Sequence, residues 1–281
     1  LNDVVGQCQN ASEDTASKAV EPADKAFPIW SKNSTDFRAS ILEKAANLLE
    51  ERASTFHYLA IKEAGKTWSD AVDEVREAID FCRYYAARAR DDDFSDREAF
   101  GVIICISPWN FPLAIFLGQI TAALAAGNTV VAKPAEQTPL IAAEAIRLLH
   151  DAGVDRAALN FVPGEGKTVG ESLISHPSTA GVCFTGSTAT AKRIASRLSE
   201  LGKPLTLIAE TGGINAMIVD SSALLEQTVD DVISSAFQSA GQRCSALRIL
   251  CVQDDIADAF ENLLRGAIAA LHVGDPIKME T

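Results

Sequence analysis

From residue 101 onward, short apolar runs of strand length alternate with helical patterns. "GVIICIS", "TVVAK", "ALNFVP" and "GVCFTG" are the runs. "PLAIFLGQITAALAAG" and "TPLIAAEAIRLLHDAG" lie between them with helical spacing, and further helices are expected near 168–175 and 187–201. Strands apolar on both sides, separated by helices, predict a parallel sheet covered on both faces. The expected fold is therefore α/β, a doubly wound Rossmann-like parallel sheet. Ligands of such sheets sit at the C-terminal ends of the strands. The polar, glycine-rich tips "SPWNFP", "KPAEQTP", "PGEGKTVG" and "FTGSTATAK" fall at those ends.

The first hundred residues read as helices. "STDFRASILEKAANLLEERA" sets Phe37, Ile41, Leu42, Ala45, Leu48 and Leu49 on one stripe, with Ser34 or Thr35 as cap. A second helix ends at Gly65. A third, about 67–88, carries Trp68, Ala71, Val72, Val75, Ile79, Cys82 and Tyr85. Their apolar face reads as packing surface without chemistry, and the charged stretch 88–98 as a surface connection. Beyond the first sheet come strand-like "PLTLIAE" and "NAMIV", a helix over 223–239, strand-like "LRILCV" and a helix over 255–271. These patterns place a helical segment at 1–100 and a Rossmann-like core at 101–212, together one domain. Further α/β patterning continues over 213–281.

Of the 281 residues 47% are apolar and 22% charged, the globular norm, and the net charge of −13 argues against nucleic acid or an anionic membrane surface as partner. The apolar run near 113–126 is interrupted by Gly118, Gln119 and Thr121 and is too short to span a bilayer. The first residues show no signal-peptide pattern, and a cytoplasmic location is expected.

Six cysteines occur, none at Cys-x-x-Cys spacing, so neither a metal site nor a disulfide framework is expected. Cys105 and Cys183 sit in apolar strand-like runs and read as core. Cys244, in "SAGQRCSALR", remains either a nucleophile or an apolar filler. Arg243 beside it would favour a thiolate if its side chain turned that way. None of the four histidines has a motif around it that would make a cysteine–histidine pair.

Four other stretches carry chemistry. In "FTGSTATAK", Gly186 permits a tight strand-to-helix turn and Ser187 can cap a helix whose free N–H groups attract phosphate. Lys133 and Glu136 in "VVAKPAEQTP" suit oxygen atoms and a ribose diol, or a plain solvated loop. Asn110, stiffened by prolines in "SPWNFP", suits an oxyanion donor, or a turn that bonds its own backbone. Glu210 in "IAETGG", at the end of an apolar strand, suits a general base, or is a surface carboxylate.

Taken together, "PWNFP", "AKPAEQTP", "FTGST", an E-x-GG segment and "GQ-x-C", in this order, resemble the NAD(P)-dependent aldehyde dehydrogenases. "REAIDFCRYYA", "IAETGGINAMIVDSS" and "SAGQRCSALR" are most similar to members that oxidise glutamate γ-semialdehyde, the open form of pyrroline-5-carboxylate, to glutamate in proline catabolism. The resemblance implies NAD as cofactor and a small aldehyde as substrate. It implies Cys244 as nucleophile, Glu210 as the base that activates water, and Asn110 as oxyanion donor with the Cys244 N–H. Ser107, Trp109, Lys133, Glu136, Gly166, Gly186 and Ser187 would hold the cofactor, with Lys133 and Glu136 at the adenosine ribose and Gly186 and Ser187 at the pyrophosphate. Ser245 would bind the substrate carboxylate and Phe111 would pack on its aliphatic stem. It makes 213–281 the first part of a second, catalytic α/β domain. It also implies a proline dehydrogenase domain on the same native polypeptide, and leaves room for a homo-oligomer.

Three features depart from the family pattern. The sequence ends at Thr281, before the family's E-x-F-G-P glutamate that holds the nicotinamide ribose, so a fragment inactive by itself is expected. The stretch between "CRYYA" and "GVIICISPWN", where part of the family's oligomerisation hairpin lies, is short. Ala191 replaces a common glycine. Two other readings compete: a dehydrogenase for a different aldehyde, and a non-catalytic protein that keeps the fold.

Overall fold

A computed structural model describes residues 4–91, 97–202 and 205–281. Residues 92–96 of the charged connection, and the first residue of "PLTLIAE", lie outside the described residues. Strands β1 (Val102–Ile106), β2 (Thr129–Lys133), β3 (Leu159–Phe161), β4 (Thr179–Gly186) and β5 (Thr206–Thr211) form one parallel sheet in the order β3-β2-β1-β4-β5. The chain works outward from β1 through β2 to β3, then returns to β4 on the other side of β1. The strand order therefore reverses at β1 and β4, and a crevice opens beyond their C-terminal ends.

Alternate strand residues feed two separate cores, as the two-residue period requires. Ile103, Cys105, Val130, Ala132 and Leu159 join one core, with α5 (Ala114–Ala125) and α6 (Pro139–Ala152). Helices α2 (Thr35–Glu51), α3 (Ala53–Ala64) and α4 (Trp68–Ala89) contribute to it as well. Val102, Ile104, Val131, Val182 and Phe184 join the other, with α1 (Glu13–Trp30), α7 (Glu171–Ser175) and α8 (Thr188–Glu200). Helix α5 is apolar nearly all round because it is sandwiched between sheet and α4. Gly118 makes room for that second contact, since a Cβ there would stand 3.1 Å from the Phe81 ring.

The ends of α5 are tied by charge. Glu74 of α4 accepts from Leu113 N and Ala114 N at 2.9 and 3.3 Å, at its positive end. Arg38 of α2 donates to Ala125 O at 2.9 Å, at its negative end. Helix α6 is treated alike: Glu63 of α3 accepts from Leu140 N and Ile141 N at 2.7 and 2.9 Å. Neither helix has a capping side chain of its own.

A second, two-stranded parallel sheet pairs β6 (Asn215–Val219) with β7 (Leu247–Val252). Helix α9 (Leu225–Phe237) connects them and α10 (Asp254–Ala270) follows. Their small core is built on Val219, Val229, Val232, Leu247 and Phe260. The other side of this sheet is open: Ile218 is 83% exposed and Ile214 77%. Among the described residues no helix is long and apolar enough to cross a membrane.

The elements expected from the sequence are present, with one addition. Helix α1 carries Pro22 and Pro28 inside it, which hides the helical pattern. Its Ala16, Val20 and Ala23 are fully buried against the sheet.

Candidate active site

One open cleft of about 760 Å³ lies at the C-terminal ends of β1, β2, β4 and β5. It is lined by Ser107, Trp109, Asn110, Lys133, Glu136, Gly166, Gly186, Ser187, Glu210 and Cys244. Ten of the residues singled out from sequence thus meet in one place, although the first and last are far apart in the chain. Phe111 and Ser245 are not part of its wall. Ser245 is exposed, and the Phe111 ring lies beneath the Lys66 ammonium, 4.1 Å from the ring centroid.

The nucleotide side is built on strand ends. Ser107 N donates to Lys133 O at 3.2 Å, which joins the tips of β1 and β2. Lys133 is almost wholly buried, and its Nζ donates to Pro134 O at 2.9 Å. Burial lowers the Lys133 pKa, opposed by the nearby Glu136 charge. Glu136 accepts from Gly166 N at 2.7 Å, so its carboxylate is oriented by the first residue of a π-helical turn, Gly166–Gly170. Gly186 ends β4 where a Cβ would stand 2.6 Å from the Phe184 ring, so a side chain would force that ring to move. Ser187 then caps α8 by accepting from Thr190 N at 3.2 Å. The first turn of α8 carries no acidic residue, so its remaining N–H groups suit an anion. These residues fit a dinucleotide: Lys133 and Glu136 for a ribose diol, Gly186, Ser187 and the α8 terminus for a pyrophosphate. Thr190, Arg193 and Arg197 also line this end of the cleft, and sequence pattern alone did not separate them from an ordinary amphipathic helix.

The chemical side is built on loops. Asn110 Nδ2 donates to Gln242 O at 2.8 Å, which bridges the loop after β1 to the segment carrying Cys244. An amide nitrogen has two hydrogens, so one remains for another acceptor. Ahead of Cys244, Ser239, Ala240 and Gly241 stand at φ 56°, 53° and 66°. Left-handed backbone costs a non-glycine residue on the order of 1 kcal/mol, and here it occurs twice in succession. Gly241 is required, because a Cβ there would approach Ala236 O to 2.7 Å. On the other side of Cys244, Asn215 Nδ2 donates to Cys244 O at 2.8 Å and Ala246 O at 3.0 Å. Asn215 had gone unnoticed in the sequence; its only signal is its place two residues after the glycine pair, at the start of β6.

Two points left open by the sequence are decided. Arg243 turns away from Cys244 and donates through Nη2 to Ser234 O and Ser235 O, at the carbonyl end of α9. Glu210 does not sit beside buried structure, because β5 is the sheet edge: Ile208 is 55% exposed and Glu210 itself is exposed. Cys244 is also exposed, and all six cysteines are free thiols. Cys105 and Cys183 face each other across β1 and β4. The Cys183 thiol, with burial, pushes the Cys105 thiol up.

The chain is similar to known proteins along nearly its whole length. The chain is 53% identical over 284 residues to the bifunctional protein PutA of Klebsiella aerogenes, covering 99% of this chain and 22% of that protein. It is 38% identical over 296 residues to a 1-pyrroline-5-carboxylate dehydrogenase of Anoxybacillus flavithermus, covering 99% and 58%. A crystal structure of bifunctional proline utilization A superposes with a TM-score of 0.95 at 52% identity, over 98% of this chain and 30% of that one. The chain thus spans less than two thirds of each of these relatives. The profile of the aldehyde dehydrogenase family matches residues 1–281, and the chain belongs to that family.

Proposed function

We propose that this chain supplies the NAD site and the nucleophile of an enzyme that oxidises L-glutamate γ-semialdehyde to L-glutamate. The observation that carries this reading is the single cleft in which Asn110, Lys133, Glu136, Ser187, Glu210 and Cys244 meet. The names of the relatives support the substrate. "Bifunctional", and the small share of those proteins that the chain covers, support a proline dehydrogenase unit on the same polypeptide. Residues 1–212 form the nucleotide-binding domain in this proposal, and 213–281 begin the catalytic one.

An aldehyde carbon is trigonal and electrophilic, and it does not release hydride in that form. The Cys244 thiolate adds to it and turns the carbonyl oxygen into an alkoxide. Asn110 Nδ2 and the Cys244 N–H donate to that oxygen, in a site where fixed donors do more than water would. NAD, when bound, supplies the hydride acceptor. The carbon then holds a thioester to Cys244. Glu210 takes a proton from water, the resulting hydroxide displaces the sulfur, and glutamate leaves with the thiolate restored. The family resemblance gives Ser245 to the substrate carboxylate and Phe111 to its stem; both stand next to Cys244 and Asn110 in the chain but off the wall of the described cleft.

The test is NADH formation by the full-length enzyme with glutamate semialdehyde. Cys244→Ala is expected to lower kcat by about 10⁴-fold or more, as loss of a nucleophile does elsewhere. Cysteine-independent turnover refutes the proposal. Limited iodoacetamide treatment gives a second check. Cys244 should label ahead of Cys105, which is fully buried, and of Cys82, whose thiol burial pushes up to about 12.

A further inference from the structure

The apolar face of the N-terminal helices reads as packing surface, yet one buried pair, Lys66 between α3 and α4 and Glu74 on α4, touches both loops of the cleft. Lys66 and Glu74 have side chains 4% and 0% exposed, with Lys66 Nζ 3.2 Å from Glu74 Oε2. At that separation the two charges attract, against a burial that pushes the Glu74 carboxyl up. Glu74 Oε1 accepts from Leu113 N and Ala114 N, where the Asn110 loop enters α5. Lys66 Nζ stands over the Phe111 ring at 4.1 Å and 3.5 Å from Ser239 Oγ. One turn on, Asp70 Oδ1 accepts from Gln238 Nε2 at 2.9 Å.

These contacts close a ring. Lys66 touches Phe111, whose neighbour Asn110 donates to Gln242 O. Gln242 follows the left-handed Ser239–Gly241 segment, and Ser239 returns to Lys66. Burying an ion pair is a poor way to gain stability, because an apolar pair of the same size commonly does as well. What the pair adds is direction. A carboxylate bridging two N–H groups fixes the start of α5, and a cation centred on a ring fixes the plane of Phe111.

We propose that Lys66 and Glu74 are positioning residues that hold the Asn110 loop in register with the Cys244 loop. The inference rests on the roles proposed above for Asn110 and Cys244. Displacing a donor by about 1 Å is enough to cost a large part of a rate. The pair therefore acts on kcat through Asn110, and leaves the nucleotide side alone.

The experiment uses the full-length enzyme and a double-mutant cycle. Lys66→Met/Glu74→Gln removes both charges at similar volume, so neither charge is left buried alone. Its kcat is expected to fall about tenfold or more, with KM for NAD unchanged within about twofold. In an Asn110→Ala background the same change should cost less than about threefold, since the group it positions is gone. Equal losses in the two backgrounds, or a kcat within about twofold of the parent, overturn the proposal. If the double variant does not fold, Glu74→Gln alone, which keeps an acceptor for Leu113 N and Ala114 N, replaces it in the cycle under the same criteria. Cys244→Ala is run in parallel. Turnover surviving in that variant refutes the assigned chemistry, whereas equal losses in the cycle refute only the positioning role.

Discussion

The two sheets of this chain are built from the same kind of unit, and they end in opposite conditions. In the five-stranded sheet Ile104, Val130 and Val131 are fully buried between helical layers on both faces. In the two-stranded sheet α9 and α10 support one face, while Ile218 and Ile249 stand exposed on the strands. The nucleotide side of the cleft rests on the closed sheet, and Cys244 on the approach to the open one. Alternating strands and helices are enough to make a parallel sheet, but a reaction site needs walls on every side. Exposed apolar area of this kind marks a surface that another part of a protein covers.

The strongest way to break the comparison is activity. The 281-residue chain alone should show no cysteine-dependent NADH formation, at least a hundredfold below a full-length relative, because fixed donors lose effect in a site open to water. Turnover near the full-length rate would mean that the open sheet needs no cover. Stability gives the next contrast. Ile104→Ala, in the closed sheet, should cost about 2–5 kcal/mol in denaturant unfolding, and Ile218→Ala within about 0.5 kcal/mol. Equal costs would erase the distinction. A larger cost for Ile218→Ala in the full-length protein would sharpen it, by showing that its face is covered there.

Cofactor choice probes the closed sheet at its strand ends. Glu136 is held by Gly166 N with its carboxylate toward the cleft, so it should accept from a ribose 2′-hydroxyl and repel a 2′-phosphate. Glu136→Gln is expected to narrow the NAD-over-NADP ratio in kcat/KM about tenfold, one charge interaction's worth. A parent enzyme that prefers NADP would contradict the assignment.

The smallest expected effect is a pH dependence. Burial pushes the Glu63 carboxyl up, against the N–H bonds from Ile141 and Leu140. A folded pKa above the unfolded one stabilises the fold below the unfolded value, and that contribution is lost as pH rises through the folded value. Relative to Glu63→Gln, the parent should therefore lose stability as pH rises from about 4.5, and run parallel to it above the folded value. A difference that stays flat across this range would show that Glu63 is not desolvated.

The strand–helix alternation was legible because period and length are local properties. So were Asn110, Lys133, Glu136, Gly186, Ser187 and Glu210, because each stands in sequence beside the strand that presents it, whereas Ser107, Trp109, Gly166 and Cys244 followed from the family's motifs. Helix α1 was hidden by its prolines. The exposure of Glu210 was hidden because "PLTLIAE" is equally apolar whether its strand is central or at an edge. Lys66, Glu74 and Asn215 were invisible for a different reason. Their partners lie elsewhere in the chain, 173 residues away for Lys66 and Ser239. Spacing within a helix carries no trace of a contact made across the fold.

The carboxylates at the starts of α5 and α6 bear on where an anion can settle. Three helices leave the C-terminal ends of β1, β2 and β4, and each begins with a partial positive charge. Glu74 stoppers the first and Glu63 the second. At α8 the cap is the neutral hydroxyl of Ser187. Of these three otherwise equivalent sockets, the fold has filled two from within and left the third for a phosphate from outside. Under the proposed function, the nucleotide would be steered to one berth by the occupancy of its neighbours as much as by any attraction of its own.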